Sequence, residues 1–327
     1  MNEATNDLHE GAPRADDGSY DVVVIGAGAA GLNAALLLGR ARRKVVVVDA
    51  GEPRNAPAAH MHGFLSRDGL PPATLLELGR TEIARYGVGI VQGRVERIDH
   101  GHLVRLVGGP VLKARRILVA TGLRDELPDI PGVRDRWGKD VLHCPYCHGY
   151  EVRDRALGVL GTAPGAVHQA LLLRQWSDDV VLFAHTLDLG GDDHERLTAR
   201  GVRIIDGEIE RVATEDGEVS GVGLTDGRMI PREAVFLFPR MVPQDALLTG
   251  LGCETENGWV VTDRTGRTTV PGVWAAGNVI DPRAQVVTAA GMGSAAGFAI
   301  NADLVEEDVE CAVARHRTTA MMGDEGR

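Results

Sequence analysis

At 327 residues and a net charge of -11, with 46 acidic against 35 basic side chains, the chain is long enough for two domains and lacks the positive surface that tracks nucleic-acid phosphates. Four cysteines are too few for a disulfide-stapled secreted scaffold, and no apolar run is long enough to cross a bilayer. The 44% hydrophobic fraction and 42 glycines fit an α/β protein with many tight turns. Residues 1–19 carry Asp7, Glu10, Asp16 and Asp17 without an apolar run; they are expected to be a disordered tail, neither signal peptide nor anchor. The expectation is a cytoplasmic protein with no membrane or nucleic-acid partner.

The first predicted strand is Tyr20–Ile25, a short apolar run. Gly26-Ala27-Gly28-Ala29-Ala30-Gly31 follows, then a helix through Leu38 and a second strand, Val45–Val48, ending in Asp49. In such a βαβ unit Gly26 permits the tight turn, Gly28 admits a pyrophosphate close to the backbone, and Gly31 lets helix and strand pack closely. Ala30 shares the turn, whose helix amides face phosphate. Asp49, 23 residues beyond Gly26, has the reach to bind an adenosine ribose. The stretch from Glu52 to Leu65 has no period and reads as a loop bearing Arg54, Asn55, His60, His62 and Phe64. Its His-x-His pair lacks a nearby cysteine or a convincing carboxylate partner, so no metal is expected. Ile117–Ala120 reads as a strand, and Thr121-Gly122 as a second turn where backbone can approach a dinucleotide. A connector rich in proline and charge runs from Leu123 to Lys139.

Next comes Cys144-Pro145-Tyr146-Cys147-His148-Gly149, a cysteine pair able to cycle between dithiol and disulfide and so to carry two electrons. Zinc recruiting His143 or His148 is the alternative, although Cys253 and Cys311 lie more than a hundred residues away and form no second pair. A further strand, turn and helix follow at Ala156–Leu160, Gly161–Ala166 and Gly165–Gln175, then a strand at Val180–Phe183. This second dinucleotide-type unit is degenerate. Ala163 stands where the second fingerprint glycine belongs, and Pro164 removes an amide from the anion-facing turn. Near the end, Thr269–Asn278 combines a turn, a strand and a loop around Gly277. Gln285-Val286-Val287 then opens an Ala- and Gly-rich helix through Ala299.

These motifs together resemble the low-molecular-weight thioredoxin reductase family of flavoproteins, over nearly the whole chain except about twenty residues at the start and a dozen or more at the end. The resemblance implies an α/β fold of two Rossmann-like FAD/NAD(P)-type domains, the second inserted into the first. The expected divisions are 20–122 and 245–309 for the FAD domain, 123–244 for the insertion with the cysteine pair, and 310–327 for a C-terminal tail. FAD is the implied cofactor. Gly277 and Asn278 would approach its ribityl and phosphate region, and the Gln285–Val286 backbone its isoalloxazine edge. Arg54 and Asn55 would meet its phosphates or ring edge, while His60, His62 and Phe64 face substrate. The family usually has Asp where Asn278 stands. NADPH-using relatives would place arginines within Ala184–Asp188; none is present, Asp188 would repel the 2′-phosphate, and Arg174 and Arg203 lie outside the matching pattern. Phe236–Arg240 also replaces a glycine-containing turn, so NADPH is not expected to bind productively.

Residues 144 to 151 further resemble the small-molecule dithiol oxidase branch of that family, which forms the disulfides of epidithiodiketopiperazine, depsipeptide and dithiolopyrrolone antibiotics such as gliotoxin, romidepsin and holomycin. The dithiolopyrrolone type is the expected substrate. The resemblance implies that substrate thiolate attacks Cys144, the more exposed sulfur, while Cys147 faces the flavin and O2 is the acceptor, giving H2O2. His148 is expected as acid/base, its charged form steadying a thiolate. His143 could act from the other side, and Tyr146 could shape the substrate slot. Cys253 and Cys311 are expected bystanders. A homodimer is implied. The rival readings are a disulfide reductase using NADPH or another donor, with thioredoxin as partner, and a non-catalytic redox sensor.

Overall fold

The computed structural model describes residues 18–324; the remainder of the expected N-terminal tail lies outside them. The chain opens with β1 (Ser19–Ile25), α1 (Ala29–Arg40), β2 (Val45–Asp49), α2 (Pro72–Ala84) and β3 (Gly89–Gln92). An antiparallel excursion, β4 (Val95–Asp99) and β5 (Leu103–Leu106), leads into β6 (Val111–Val119). β1 lies parallel to both β2 and β6, which sets the strand order β3-β2-β1-β6-β5-β4. Successive strand residues face opposite sides. Val22 and Val24 accordingly pack under α1 and α2, while Val23 and Ile25 pack on the other face with Ile98, Leu112 and Leu248.

The chain then leaves this sheet through β7 (Leu123–Glu126) and a single turn, α3 (Val133–Arg136). The inserted unit comprises β8 (Val141–Leu142), α4 (Pro145–His148), β9 (Leu157–Leu160), α5 (Gly165–Leu173), β10 (Val180–Phe183), α6 (Gly191–Ala199) and β11 (Arg203–Ile205). A three-stranded antiparallel sheet follows, β12 (Ile209–Glu215), β13 (Glu218–Leu224) and β14 (Met229–Pro231), before β15 (Ala234–Leu237) enters between β9 and β8. The parallel order is β11-β10-β9-β15-β8. Val180 and Leu182 face α5 and α6; Val181 and Phe183 face the three-stranded sheet.

β16 (Arg240–Pro243) returns antiparallel to β7, so both passages between the units run through one two-stranded ribbon. The connector expected from Leu123 is therefore partly regular structure. At the ribbon's end the Thr121 hydroxyl donates to the Gln244 carbonyl at 2.7 Å, and Gln244 Nε2 donates back to the Thr121 carbonyl at 2.9 Å. After α7 (Ala246–Gly250), β17 (Thr255–Glu256) and β18 (Trp259–Val260), β19 (Val273–Ala275) pairs in parallel with Ile117–Val119 of β6. The final helix, α8 (Val286–Asp324), crosses residue 309 without a break and extends the helix well beyond the expected Ala299. A Cβ on Gly293 would lie 2.0 Å from the Ala30 carbonyl oxygen, so α8 passes α1 at a distance only glycine allows. Among the described residues no helix is long and apolar enough to cross a membrane.

Candidate active site

The cysteine pair sits where the inserted sheet hands over to α4. Cys144 occupies the helix N-cap position in extended conformation, and Pro145 at the first helical position is pre-set for the turn. The strand ends are anchored from α5 by Gln169, which is 3% exposed and donates from Nε2 to the carbonyls of His143 and Leu237. Gly149 is required where the turn closes: a Cβ there would fall 2.5 Å from the Pro145 oxygen and 2.9 Å from the Trp176 ring. Tyr146 stays exposed and stands edge-on to Trp176, ring centroids 5.8 Å apart.

Both cysteines are thiols here, and both are half-buried, so exposure does not mark Cys144 as the outer sulfur. Electrostatics separates them. The neighbouring Cys147 thiol, outweighing burial, together with the amides of Cys147 and Tyr146 and the Arg54 charge, brings Cys144 down to about 7. Cys147 is raised, first by its interaction with Cys144 and then by burial, while Arg54 and Gln285 act in the opposite direction. One proton is thus shared by the pair, and the thiolate belongs on Cys144.

Burial lowers both flanking histidines, His143 to about 4, so each imidazole is neutral near pH 7. This corrects the expectation that a charged His148 steadies the thiolate; the cation that does so is Arg54. A neutral His148 can accept a proton, whereas His143, held at about 4, is a weak base near pH 7. The Nδ1 atom of His148 is buried without a hydrogen-bond partner. His143 packs edge-on against Phe238 at 5.1 Å.

The first unit supplies the opposite wall. Gln285 Nε2, just before α8, lies 4.0 Å from Cys147 Sγ. A Cβ on Gly63 would be 3.7 Å from Gln285 Oε1, which brings the 60–68 loop to the same place. Within it His62 lies 3.4 Å from Asp68 and 3.4 Å from Glu151, three residues beyond His148. Phe64 is half-buried, whereas His60 and Asn55 are exposed. Arg54, expected at the cofactor, is held within the protein: Nε and Nη2 donate to both Asp125 oxygens at 2.8 and 2.7 Å, and Nη1 to Asn278 Oδ1 at 3.3 Å. Asn278 in turn donates from Nδ2 to the carbonyls of Asp281 and Ala284, both at 2.9 Å. An aspartate has no such donor, which gives asparagine at this position a physical reason.

The fingerprint residues fit a dinucleotide. Gly26 has φ +105, and a Cβ there would lie 2.4 Å from the Ala120 oxygen; one on Gly31 would lie 1.9 Å from the Gly26 oxygen. Gly28 differs: a Cβ there meets nothing within 4 Å, so the helix N-terminus opens onto a cradle with no side-chain cap. Asp49 turns toward it, accepting the Ala27 N–H at 3.2 Å and pairing with Arg80 at 3.2 Å. Lone pairs remain on both carboxylate oxygens for a ribose diol. Gly277, at φ +79, packs against Ala30, and Gly122 adopts φ +73 with open space beside it. Gln285 and Val286 then bring the start of α8 to Cys147. Arg80 carries no motif and is found only by its contact with Asp49.

The second dinucleotide groove is altered. Its cavity of about 520 Å³ is lined by Ala163, Pro164, His168, Asp188, Asp193 and Arg196, among others. Arg196 pairs with Asp193 at 3.9 Å. Arg174 and Arg203 are engaged elsewhere, with Asp178 at 3.0 Å and Asp179 at 2.7 Å. The Phe238 ring closes over Gly165, where a Cβ would lie 2.8 Å from it, so an aromatic ring fills space at the start of α5. Among the described residues, no group of three or more histidine, cysteine or acidic side chains is placed to hold a metal ion.

Comparison with known proteins agrees with this arrangement. Residues 20–293 match the pyridine nucleotide-disulphide oxidoreductase family. The thioredoxin reductase sirT of Leptosphaeria maculans is 32% identical over 314 residues, covering 89% of this chain and 96% of its own. The crystal structure of HlmI superposes with a TM-score of 0.91 at 62% identity, over 93% of this chain and 98% of that one. An oxidoreductase from Agrobacterium tumefaciens follows with TM-score 0.83 and 39% identity, over 88% and 99%. The dinucleotide cradle and the thiol pair beside Gln285 are therefore those of an FAD-binding redox enzyme, and the chain belongs to the pyridine nucleotide-disulphide oxidoreductase family.

Proposed function

We propose that the chain is an FAD-dependent dithiol oxidase, closing an intramolecular disulfide in a small antibiotic-type dithiol, of the dithiolopyrrolone kind, with dioxygen as acceptor. The observation that carries this reading is the polarised pair, with its thiolate on Cys144 and Cys147 4.0 Å from Gln285, the residue expected at the isoalloxazine edge. In the oxidised enzyme a substrate thiolate attacks Cys144 Sγ; the Cys144–Cys147 bond breaks and its electron pair leaves on Cys147. The second substrate thiol gives its proton to His148, the burial of His143 leaving it the weaker base. It then attacks the substrate sulfur of the mixed disulfide, and Cys144 departs as thiolate. A thiol held at about 7 is a good leaving group, which favours this direction. FAD held at the Gly26–Gly31 turn and Asp49 would supply a two-electron acceptor for the enzyme dithiol and a donor to dioxygen, which with two protons gives hydrogen peroxide. The reductase alternative calls for NADPH, and a second groove lined by Ala163, Pro164 and Asp188 weighs against it.

The test is stoichiometric: one hydrogen peroxide should appear per substrate disulfide, and Cys144→Ser should stop both. NADPH-dependent reduction of a disulfide would refute the reading. We place the unit boundaries at 122/123 and 244/245, supported by the Thr121–Gln244 hydrogen bonds. A cytoplasmic setting belongs to the same reading, since reducing surroundings keep a substrate dithiol open until the enzyme meets it. So does a homodimer: Phe298, Val305 and Val309 form an exposed apolar stripe on α8 that a second copy would cover.

A further inference from the structure

We propose that Asp125 is a positioning residue of the thiol site, acting through Arg54, whose guanidinium it holds between the interdomain ribbon and the turn that feeds Gln285. The inference rests on the thiol-exchange reading of the site. Asp125 belongs to β7, facing Met241 of β16, and its side chain is only 9% exposed. A carboxylate buried to that degree needs a well-made partner, and the two-pronged Arg54 contact supplies one. The two residues are 71 positions apart and come from different units: Arg54 from the loop after β2, Asp125 from the ribbon that leaves the first sheet. Their contact therefore fixes a loop of the FAD unit against the passage between units.

Arg54 has two further consequences. Its Nη1 reaches Asn278, which closes the 278–284 turn with both Nδ2 hydrogens, and the next residue, Gln285, meets Cys147. Its charge also reaches the site directly, acting on Cys144, Cys147 and His143. The other charged or titratable groups around the pair are His143 and His148, with Asp125 acting on the first and with Glu151 and His62 on the second. Arg54 is the permanent cation among the groups whose charge acts on both thiols. A guanidinium free to turn toward solvent would leave the Cys144 thiolate without its countercharge.

Two roles for Asp125 predict opposite outcomes. If it merely neutralises Arg54, its removal strengthens the cation and eases ionisation of Cys144. If it positions Arg54, its removal loses the cation. The experiment takes the holoenzyme reduced anaerobically with excess dithiothreitol, desalted, and alkylated with iodoacetamide across pH, with Cys144 and Cys147 resolved by peptide mass spectrometry. Asp125→Asn and Arg54→Gln should each raise the Cys144 midpoint by at least roughly half a pH unit, about threefold less thiolate below it. The double variant should shift no further than Arg54→Gln alone, and Asp125→Glu should recover most of the effect. A lowered or unchanged midpoint in Asp125→Asn overturns the proposal. Should that variant not fold, Arg54→Lys decides. It keeps the charge but not the two-pronged grip, so a wild-type midpoint there overturns the proposal and a raised one supports it. Because the readout is thiol reactivity, it holds whether or not the protein turns over a dithiol with oxygen, and failure of the functional reading would be seen separately.

Discussion

Gly28→Ala separates the cofactor cradle from the fold. Gly28 caps α1 with φ -77 and ψ -175, an extended conformation open to any residue, and its added Cβ would meet nothing within 4 Å. The apoprotein should lose nothing; replacing glycine at an unstrained position typically adds about 0.4–1 kcal/mol through the unfolded chain. The new methyl instead occupies the space through which a pyrophosphate approaches the helix amides. Overpacking a fitted contact by one methyl costs roughly 1–3 kcal/mol, or about 5- to 150-fold in affinity at tenfold per 1.4 kcal/mol. The assay is FAD titration of apoprotein by flavin fluorescence quenching, beside thermal unfolding of the apo form. Wild-type FAD affinity in Gly28→Ala would refute the cradle, and an apoprotein destabilised by more than about 1 kcal/mol would refute the claim that Gly28 is there for the ligand.

Three further outcomes follow from the same contacts. Gly293→Ala, whose Cβ would fall 2.0 Å from the Ala30 oxygen, should destabilise by about 3 kcal/mol or more, whereas Gly291→Ala, with nothing within 4 Å, should stabilise by roughly 0.5–1 kcal/mol; equal thermal midpoints would contradict the packing of α1 on α8. Asn278→Asp sets a carboxylate against two carbonyl oxygens at 2.9 Å and should lower the melting temperature as well as the FAD content, while Asn278→Gln is not expected to restore either. Because Cys144 is lowered to about 7, its thiolate forms as pH rises through that value; alkylation of the reduced protein at Cys144 should rise through pH 6–8, and a midpoint near the ordinary 9.0 would remove the polarised pair.

Much of this was legible locally. The fingerprint from Gly26 to Gly31, Asp49 and the Cys144–Cys147 pair are short motifs whose meaning lies in spacing, and each falls on the element its pattern implies. What spacing does not reveal are partners distant in the chain: Arg80 for Asp49, Asp125 for Arg54, Gln169 for the His143 carbonyl, Gln244 for Thr121. Phe236–Arg240 stands out in sequence as a replaced glycine-containing turn, but the placement of Phe238 over Gly165 and beside His143 depends on how β15 and α5 pack. The neutral state of His148 is likewise a product of burial rather than of motif. The extent of α8 is less legible, because from residue 305 to 319 its side chains are almost all exposed and no buried face marks the helix.

The most direct test of the central claim is anaerobic reduction of the purified yellow protein, followed by flavin absorbance with NADPH and, separately, with a small dithiol before air is admitted. The account predicts bleaching by the dithiol alone, with colour returning and hydrogen peroxide appearing when oxygen enters. Rapid bleaching by NADPH would contradict it, showing that the altered second groove still delivers hydride to the flavin.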